Sequence, residues 1–377
     1  MTTNLPQELV DVIVDHLAGD SSSLKACSLA SCAWVPRTRL YLFEICSLTS
    51  ATVFSFSVIL RSPHCTFLPH IRSIHVSGDV PNSTPYNSFD EPAFLVDLHR
   101  LTGVRMLEVE LIFKRTHGEV AKLAHTNILS AFPHLTRLSL TNVPMPTVVQ
   151  LVDTIALFLS LEELHLALVC PLPAFTKSMV VKLPPRALHS LTLCRYSVGP
   201  ILAWLHAAEH LPKIRSLKLP SLWRHEVPIV CVPLEHLRNA GALNHLRLLD
   251  APLVWLLGGA SDTAPLFNLS DHPALHTLIL QDYAFPYEML SSLMQLVAPS
   301  LECLTFDLDL PSYRRFDWAT LDAFLANSGA FKRLKRVVFL QTIGYTEPRE
   351  DAFLRKVLPM LESSGMLQTK WLRLSEK

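Results

Sequence analysis

The chain has 377 residues, of which 49% are hydrophobic, so it can bury a substantial core and does not have the composition of a disordered protein. Lysine plus arginine equals aspartate plus glutamate at 33 each, so there is no global field to attract nucleic acid or an anionic membrane. With no apolar run near the ~20 residues that span a bilayer and no close CxxC pair among eight cysteines, we expect a soluble intracellular protein, cytoplasmic and/or nuclear.

Residues 5–46 predict three short helices. The first begins near Pro6, the second is capped by the serines at 21–23, and the third starts at Pro36. The residues expected to face inward from the second and third helices are Leu24, Cys27, Trp34, Leu40, Phe43 and Ile45. The opening helix is apolar around well over half of its circumference, with a narrow polar strip that includes Asp15. Because three helices in about 40 residues are at the lower limit of independent stability, this surplus apolar surface suggests a binding partner.

The same residues read LPQELVDVIVDHL, a short gap, and SLKACSLASCAWVPRTRLYLFEI, and they resemble an F-box. The similarity lies in the leucine-proline start, the second helix that reaches a tryptophan, and the closing leucine and aromatic residue. It implies that residues 1–46 dock on the Skp adaptor of a cullin-RING ubiquitin ligase, with Trp34 and Phe43 inside the bundle. The adaptor contacts that it implies are Leu5, Pro6, Glu8, Leu9, Ile13 and Leu24.

The rest of the chain repeats one pattern, apolar-x-x-apolar-x-apolar. Its matches begin at Ile71, Val104, Leu135, Leu161, Leu188, Ile214, Leu243, Leu275, Leu301 and Leu334. Successive starts lie 26 to 33 residues apart, within or slightly above the range of about 20 to 29 that is typical of leucine-rich repeats. Each match predicts a strand followed by a helix that covers it, and stacked units bury a core that one unit cannot close alone.

Residues 67–377 therefore resemble a degenerate leucine-rich-repeat solenoid of about ten α/β repeats with a curved parallel sheet, and residues 47–66 are interpreted as a linker or first cap. The asparagine that commonly follows the third leucine of such repeats is missing, and Val143 stands there in the third match. An F-box followed by leucine-rich repeats is a known family arrangement, abundant and divergent in fungi, in which the repeats hold the substrate.

Side chains alternate along a strand, so the residue between the second and third apolar positions faces the concave side. This rule predicts a ladder of His75, Glu108, Ser139, His165, Thr192, Lys218, Arg247, Ile279, Thr305 and Val338. Lys218 and Arg247 are adjacent rungs, and aromatic and basic residues follow nearby, a composition that favours an acidic or phosphorylated target. The substrate-binding candidates are His75, Glu108, His165, Lys218, Trp223, Arg224, Arg247 and Tyr283.

One motif suggests catalysis. His206, Glu209 and His210 spell HxxEH, and on a helix the two histidines could share zinc with the glutamate as general base. The segment falls where the array expects a backing helix to end, no third ligand can be named, and no Gly-rich phosphate loop or nucleophile elbow occurs. We expect no catalytic residue, cofactor or metal site.

The sequence therefore favours a noncatalytic substrate receptor of an SCF-type ubiquitin ligase, with the Skp adaptor, the cullin and RING subunits and an unknown protein substrate as partners. Two alternatives stay open. The first helices could be only a cap on a leucine-rich-repeat scaffold without ligase function, since such arrays need their end repeats covered. More remotely, the chain could be a zinc hydrolase built on HxxEH.

Overall fold

A computed structural model gives the fold of the protein. It describes residues 5–49, 51–79, 96–112, 129, 131–143, 145, 147–168, 182–220, 227–249, 269–282, 290, 293–294, 296–327, 329–342 and 347–372. None of the helices in this part of the chain combines the length and the apolar composition needed to cross a bilayer.

Helices and strands alternate along the described residues. The α-helices are α1 (Gln7–His16), α2 (Ser21–Ala30), α3 (Val35–Leu42), α4 (Val53–Arg61), α5 (Val148–Ala156), α6 (Arg195–Ala207), α7 (Val227–Ala240), α8 (Trp318–Asn327), α9 (Glu347–Val357) and α10 (Pro359–Ser363). The strands are β1 (Ile45–Leu48), β2 (Ser73–Asp79), β3 (Met106–Ile112), β4 (Arg137–Thr141), β5 (Glu163–Ala167), β6 (Ser190–Leu193), β7 (Ser216–Leu219), β8 (His245–Leu249), β9 (Thr277–Asp282), β10 (Cys303–Leu308), β11 (Arg336–Thr342) and β12 (Leu367–Leu372). Short 3-10 helices occupy Leu68–His70, Leu211–Lys213, Leu269–Asp271, Leu310–Tyr313 and Gly329–Phe331.

The described residues divide into two compact units. The first contains residues 5–168 and 182–188, and in it β1 to β5 pair in parallel and in chain order. The second begins at residue 189, and in it β6 to β12 pair in the same way. The twelve strands within the described residues are thus parallel, and each unit is a strand-helix array of the leucine-rich-repeat-like kind.

The strand predictions are confirmed, because each of the ten pattern matches begins two residues before one of the strands β2 to β11. The first apolar position is buried in nine of the ten, as at Leu135 and Leu275, which are 0% exposed. Exposure then alternates along β4 to β7, with the second and third apolar positions buried. The pattern therefore marks the side of each strand that faces the core.

A repeated backbone hydrogen bond joins successive repeats in the absence of the asparagine ladder. In each case the carbonyl of the residue after the first apolar position accepts from two consecutive amides of the next repeat. Arg72 O, for example, accepts from Arg105 N at 2.8 Å and Met106 N at 3.1 Å. The same arrangement occurs at Glu44, Arg105, Thr136, His189, Arg215, Asn244, His276 and Glu302. Because it uses main-chain groups alone, the array tolerates varied side chains at this position.

Two strands were not predicted, β1 and β12. Glu44 O accepts from Arg72 N and Ser73 N, which makes residues 43–48 the first repeat. The segment 47–66, interpreted as a linker or first cap, contains the end of β1 and helix α4. At the other end, Leu367 pairs with Val337, which is the second apolar position of its match. The first apolar position of β12 would therefore be residue 364, which is a serine, so the pattern does not match there.

The first three helices form a small bundle with a core of Val10, Val14 and Leu24. Leu17, Trp34, Tyr41 and Leu42 pack around it and are partly buried. Helix α2 is capped by Asp20 rather than by the predicted serines. Asp20 Oδ1 accepts from the amides of Ser22 and Ser23 at 3.0 and 3.1 Å, since an aspartate one position earlier reaches these otherwise unpaired donors.

Candidate functional site

Three exposed apolar side chains on α1 and one from the residue two positions before it form a surface that we call the α1 apolar stripe: Leu5, Leu9, Val12 and Ile13. Their exposed fractions are 53%, 50%, 52% and 38%. Leu9 precedes Val12 by three residues and Ile13 by four, which places these three side chains along one side of the helix, and Leu5 lies just before the helix begins. Val12 was not among the predicted contact residues, although its spacing from Leu5 and Leu9 already indicated that it belongs there. Large apolar side chains that line up and stay in solvent are typical of a binding surface.

Asp15, in the polar strip of the same helix, is exposed to solvent and also bonds to α3. Asp15 Oδ1 and Oδ2 accept from Arg37 Nε and Nη2, each at 2.7 Å, and Asp15 Oδ1 also accepts from the Tyr41 hydroxyl at 2.8 Å. These hydrogen bonds, with that from Arg37 the largest cause, lower the pKa of the Asp15 carboxyl. Helix α1 is therefore held to the bundle by buried Val10 and Val14 and by the Asp15 hydrogen bonds to α3, while the α1 apolar stripe stays exposed.

The remaining residues that the F-box resemblance singled out occupy different environments. Pro6 and Glu8 are exposed beside the stripe. Leu24 is 1% exposed in the core of the bundle, where it packs with Val10 and Val14 of α1. In this structure its side chain is therefore not accessible to a partner. Trp34 packs on that core as predicted.

Phe43 and Ile45 do not have the predicted inward positions in the bundle. The Phe43 ring stacks on Phe67, with centroids 4.5 Å apart and planes 18° from parallel. Ile45 is 63% exposed, because the chain has already entered β1 there. A depression of about 320 Å³ lies next to the stacked rings, with Arg39, Ile59 and Cys65 in its wall.

The predicted ladder is confirmed as a register. We call the sheet face that carries it the ladder face. In the first unit, His75 is opposite Glu108, Glu108 opposite Ser139, and Ser139 opposite His165. These four side chains are partly exposed, and Ser139 Oγ lies 3.0 Å from His165 Nδ1. This part of the ladder face presents histidines, hydroxyls and carboxylates.

In the second unit the ladder face is basic at its centre. Thr192 is opposite Lys218 and Lys218 opposite Arg247, on three consecutive strands. Arg247 Nη2 donates to Gln281 Oε1 on β9 and to Asp307 Oδ2 on β10, each at 2.9 Å. The arginine side chain therefore extends toward β10, and its charge is compensated by a carboxylate that is only 6% exposed.

Lys218 is in a different electrostatic position from Arg247. Within the described residues it makes no hydrogen bond or salt bridge. Burial lowers the pKa of the Lys218 ammonium, the Arg247 charge lowers it further, and Asp307 acts in the opposite direction. Arg247 Nε is also buried without a hydrogen-bond partner within the described part of the chain. Two cationic donors on one sheet face are thus left without an acceptor there.

Toward the carboxyl end of the array, two ladder positions expected on an accessible face are buried. Thr305 is 6% exposed and Val338 is 3% exposed. All six residues of β10 are buried, so this strand is covered on both faces. Among the described ladder positions of this unit, the basic side chains are those of Lys218 and Arg247.

The HxxEH segment does not form the zinc-binding geometry. Helix α6 ends at Ala207, Glu209 has a φ of 54°, and the His210 amide bonds to Leu205 O, so the motif spans a helix end. His210 is 3% exposed, and the His206 ring packs against His236 with centroids 4.2 Å apart. No group of three or more histidine, cysteine, aspartate or glutamate side chains in the described regions is arranged to hold a metal ion.

Three of the predicted substrate-binding residues, Trp223, Arg224 and Tyr283, lie outside the described residues.

Comparison with known proteins identifies no family for the chain. No family model matches the chain, and no curated protein matches it. One similar solved structure is the crystal structure of a Bacteroides fragilis protein, a target of the Northeast Structural Genomics Consortium. It is 11% identical, covers 87% of this chain and 73% of its own, and has a TM-score of 0.36. At this level the likeness carries no argument about function.

Proposed function

We propose that the protein is the substrate-recognition subunit of an SCF-type ubiquitin ligase. The first three helices bind a Skp-type adaptor and through it the cullin and RING subunits, and the ladder face of the repeats binds a protein substrate. The chain itself has no catalytic role in this proposal. It brings the substrate close to a ubiquitin transfer that its partners carry out.

The observation that carries the proposal is the α1 apolar stripe. It occupies the positions Leu5, Leu9 and Ile13, to which the F-box resemblance assigns adaptor contact, and these side chains remain exposed. An amphipathic helix that presents side chains at such spacings fits an apolar groove on a partner. The bundle core is small, which suits a domain that gains stability on binding.

The alternative of a simple cap is less consistent with the same observation. A capping helix buries its apolar side against the open end of the array. Helix α1 buries Val10 and Val14 in its own bundle, keeps Leu9, Val12 and Ile13 exposed, and uses Asp15 to bond Arg37 and Tyr41 of α3. A leucine-rich-repeat scaffold without ligase function nevertheless stays the second candidate, and adaptor binding distinguishes the two.

The test is capture of a purified Skp adaptor by purified full-length protein. We compare wild type with the double variant Leu9→Asp/Ile13→Asp, which puts two carboxylates into the proposed interface. The matched control is Leu157→Asp/Leu159→Asp, because these leucines are 52% and 76% exposed and lie in the array rather than in the bundle. All three proteins are first checked for equal folding by circular dichroism.

We expect wild type and the control to capture the adaptor and the bundle variant to lose at least about tenfold in affinity, since buried charges at an interface centre cost binding energy. If folded wild type does not bind, the ligase proposal is wrong and the scaffold alternative replaces it. Equal capture by all three proteins would mean that the α1 apolar stripe is not the adaptor surface.

A further inference from the structure

We propose that Lys218 and Arg247 form a subsite for one carboxylate side chain, an aspartate or glutamate of the bound substrate. This inference rests on the proposed function insofar as the ladder face binds a protein. It goes further by naming the substrate chemistry, an acidic residue that needs no phosphorylation.

The subsite is built on three consecutive strands of one unit. Thr192 on β6, Lys218 on β7 and Arg247 on β8 lie opposite each other in register, and Ser216 precedes Lys218 by two residues on the same face. Neighbouring strands are about 4.8 Å apart, and residues i and i+2 of one strand are about 6.6 Å apart. Hydroxyl donors therefore flank the ammonium on two sides.

Two donors of this subsite, Arg247 Nε and the Lys218 ammonium, have no acceptor among the described residues. Arg247 commits Nη2 to Gln281 and Asp307, while its Nε, although buried, bonds to no described residue. Lys218 is partly buried and has no hydrogen bond or salt bridge to the described residues. A desolvated cation without a partner is costly, and an anion that enters the subsite would remove that cost.

The charge of the cluster favours a carboxylate over a phosphoryl group. Among the described residues of the cluster, Lys218 and Arg247 contribute two positive charges and Asp307 one negative charge, which leaves a net charge of one positive. A carboxylate supplies one negative charge and two acceptor oxygens, whereas a phosphoryl group carries about −1.5 to −2. The buried position of Asp307 makes it a fixed part of the subsite that limits the charge it can accept.

The test uses fluorescein-labelled degenerate peptide libraries with one fixed central residue: glutamate, glutamine or phosphoserine. Binding to full-length protein is followed by anisotropy at low salt, where the electrostatic contribution is largest. We expect the glutamate library to bind at least about tenfold more tightly than the glutamine library and no more weakly than the phosphoserine library. Absence of glutamate-library binding up to about 1 mM would overturn the proposal.

Lys218→Met removes the ammonium and keeps the aliphatic stem. We expect the ratio of glutamate to glutamine affinities to fall to about one in this variant. The matched control is Lys213→Met, because Lys213 is an exposed lysine of the same unit outside the ladder face. If Lys218→Met keeps the wild-type ratio, or if Lys213→Met loses it equally, the subsite is not at Lys218. Arg247 is left unchanged, because its removal would leave the buried Asp307 carboxylate without its cationic partner and would destabilise the fold.

Asp307→Asn provides a second, independent test by raising the charge of the cluster by one. We expect this variant, once shown to be folded, to bind the phosphoserine library more tightly than the glutamate library. An unchanged preference in the folded variant, or tenfold tighter phosphoserine binding by wild type, would overturn the charge-matching argument. None of these measurements involves the adaptor, so peptide binding and adaptor capture can fail independently.

Discussion

Helices α1 and α5 have nearly the same length and are both amphipathic, but they bury very different parts of their surface. Five of the nine residues of α5 are buried: Val148, Leu151, Val152, Thr154 and Ile155. Only Val10 and Val14 are buried among the ten residues of α1. The array gives α5 a sheet to cover, whereas the bundle gives α1 only two short helices. Apolar composition therefore does not reveal whether a helix belongs to the core or to a binding surface.

The largest expected effect comes from shortening the buried side of α5. Ile155 is 0% exposed, and Ile155→Ala should lower the free energy of unfolding by about 2–5 kcal/mol, because it removes buried methylene groups and leaves a cavity. Val149 in the same helix is 39% exposed, and Val149→Ala should change stability by no more than about 0.5 kcal/mol. Denaturant unfolding of both variants measures the difference. Similar losses would contradict the assignment of the two sides of α5.

A smaller effect is expected within α1, where two valines lie two residues apart on opposite sides. Val14 is 0% exposed and Val12 is 52% exposed. Val14→Ala should destabilise the bundle by up to about 1.5–3 kcal/mol, while Val12→Ala should leave it within about 0.5 kcal/mol of wild type. Amide hydrogen exchange of α1 to α3 reports this local stability. Only Val12→Ala should weaken adaptor capture while the amide protection of α1 to α3 stays at the wild-type level. If Val12→Ala instead lowers amide protection and leaves adaptor capture unchanged, the α1 apolar stripe is not a binding surface.

The smallest effect concerns the polar side of α1. The folded state lowers the pKa of Asp15 below its ordinary value of 3.8, with the Arg37 hydrogen bond as the main cause. A lowered carboxyl pKa stabilises the fold above that ordinary value, and this stabilisation disappears as pH falls through the lowered pKa. Asp15→Asn should therefore reduce amide protection of α1 and α3 from about pH 5 to 7, and the difference from wild type should shrink below pH 3.8. A difference that grows in acid would contradict the assigned role of Asp15.

The strands of the array were the most predictable part of the fold. A pattern of three apolar positions suffices because nine of the ten matched repeats bury all three positions, as at Leu135, Leu138 and Leu140. The first strand was missed because Phe43, Cys46 and Leu48 carry the pattern inside residues that also resemble the end of an F-box. The last strand was missed because Ser364 and Thr369 occupy positions that the pattern requires to be apolar.

The sites were only partly predictable. Sequence alternation correctly placed Lys218 and Arg247 on adjacent rungs of one face. It could not reveal that Arg247 is compensated by Asp307, which lies 60 residues further along the chain. Likewise, the excess of apolar residues on α1 was visible in the sequence, but the sequence assigned Leu24 both to the bundle interior and to adaptor contact, and only its burial in the structure separates the two.

The sequence by itself therefore determined which residues form the repeated strands and which side of each strand is apolar, because both follow from local periodicity. The tertiary structure alone decided which apolar and charged groups remain without partners. Leu9 is exposed because α1 is oriented with Asp15 bonded to Arg37 of α3, which leaves Leu9 outside the bundle. Whether Lys218 lacks an acceptor depends on the reach of Arg247 toward β10. Both are contacts between residues distant in sequence, and no local pattern specifies them.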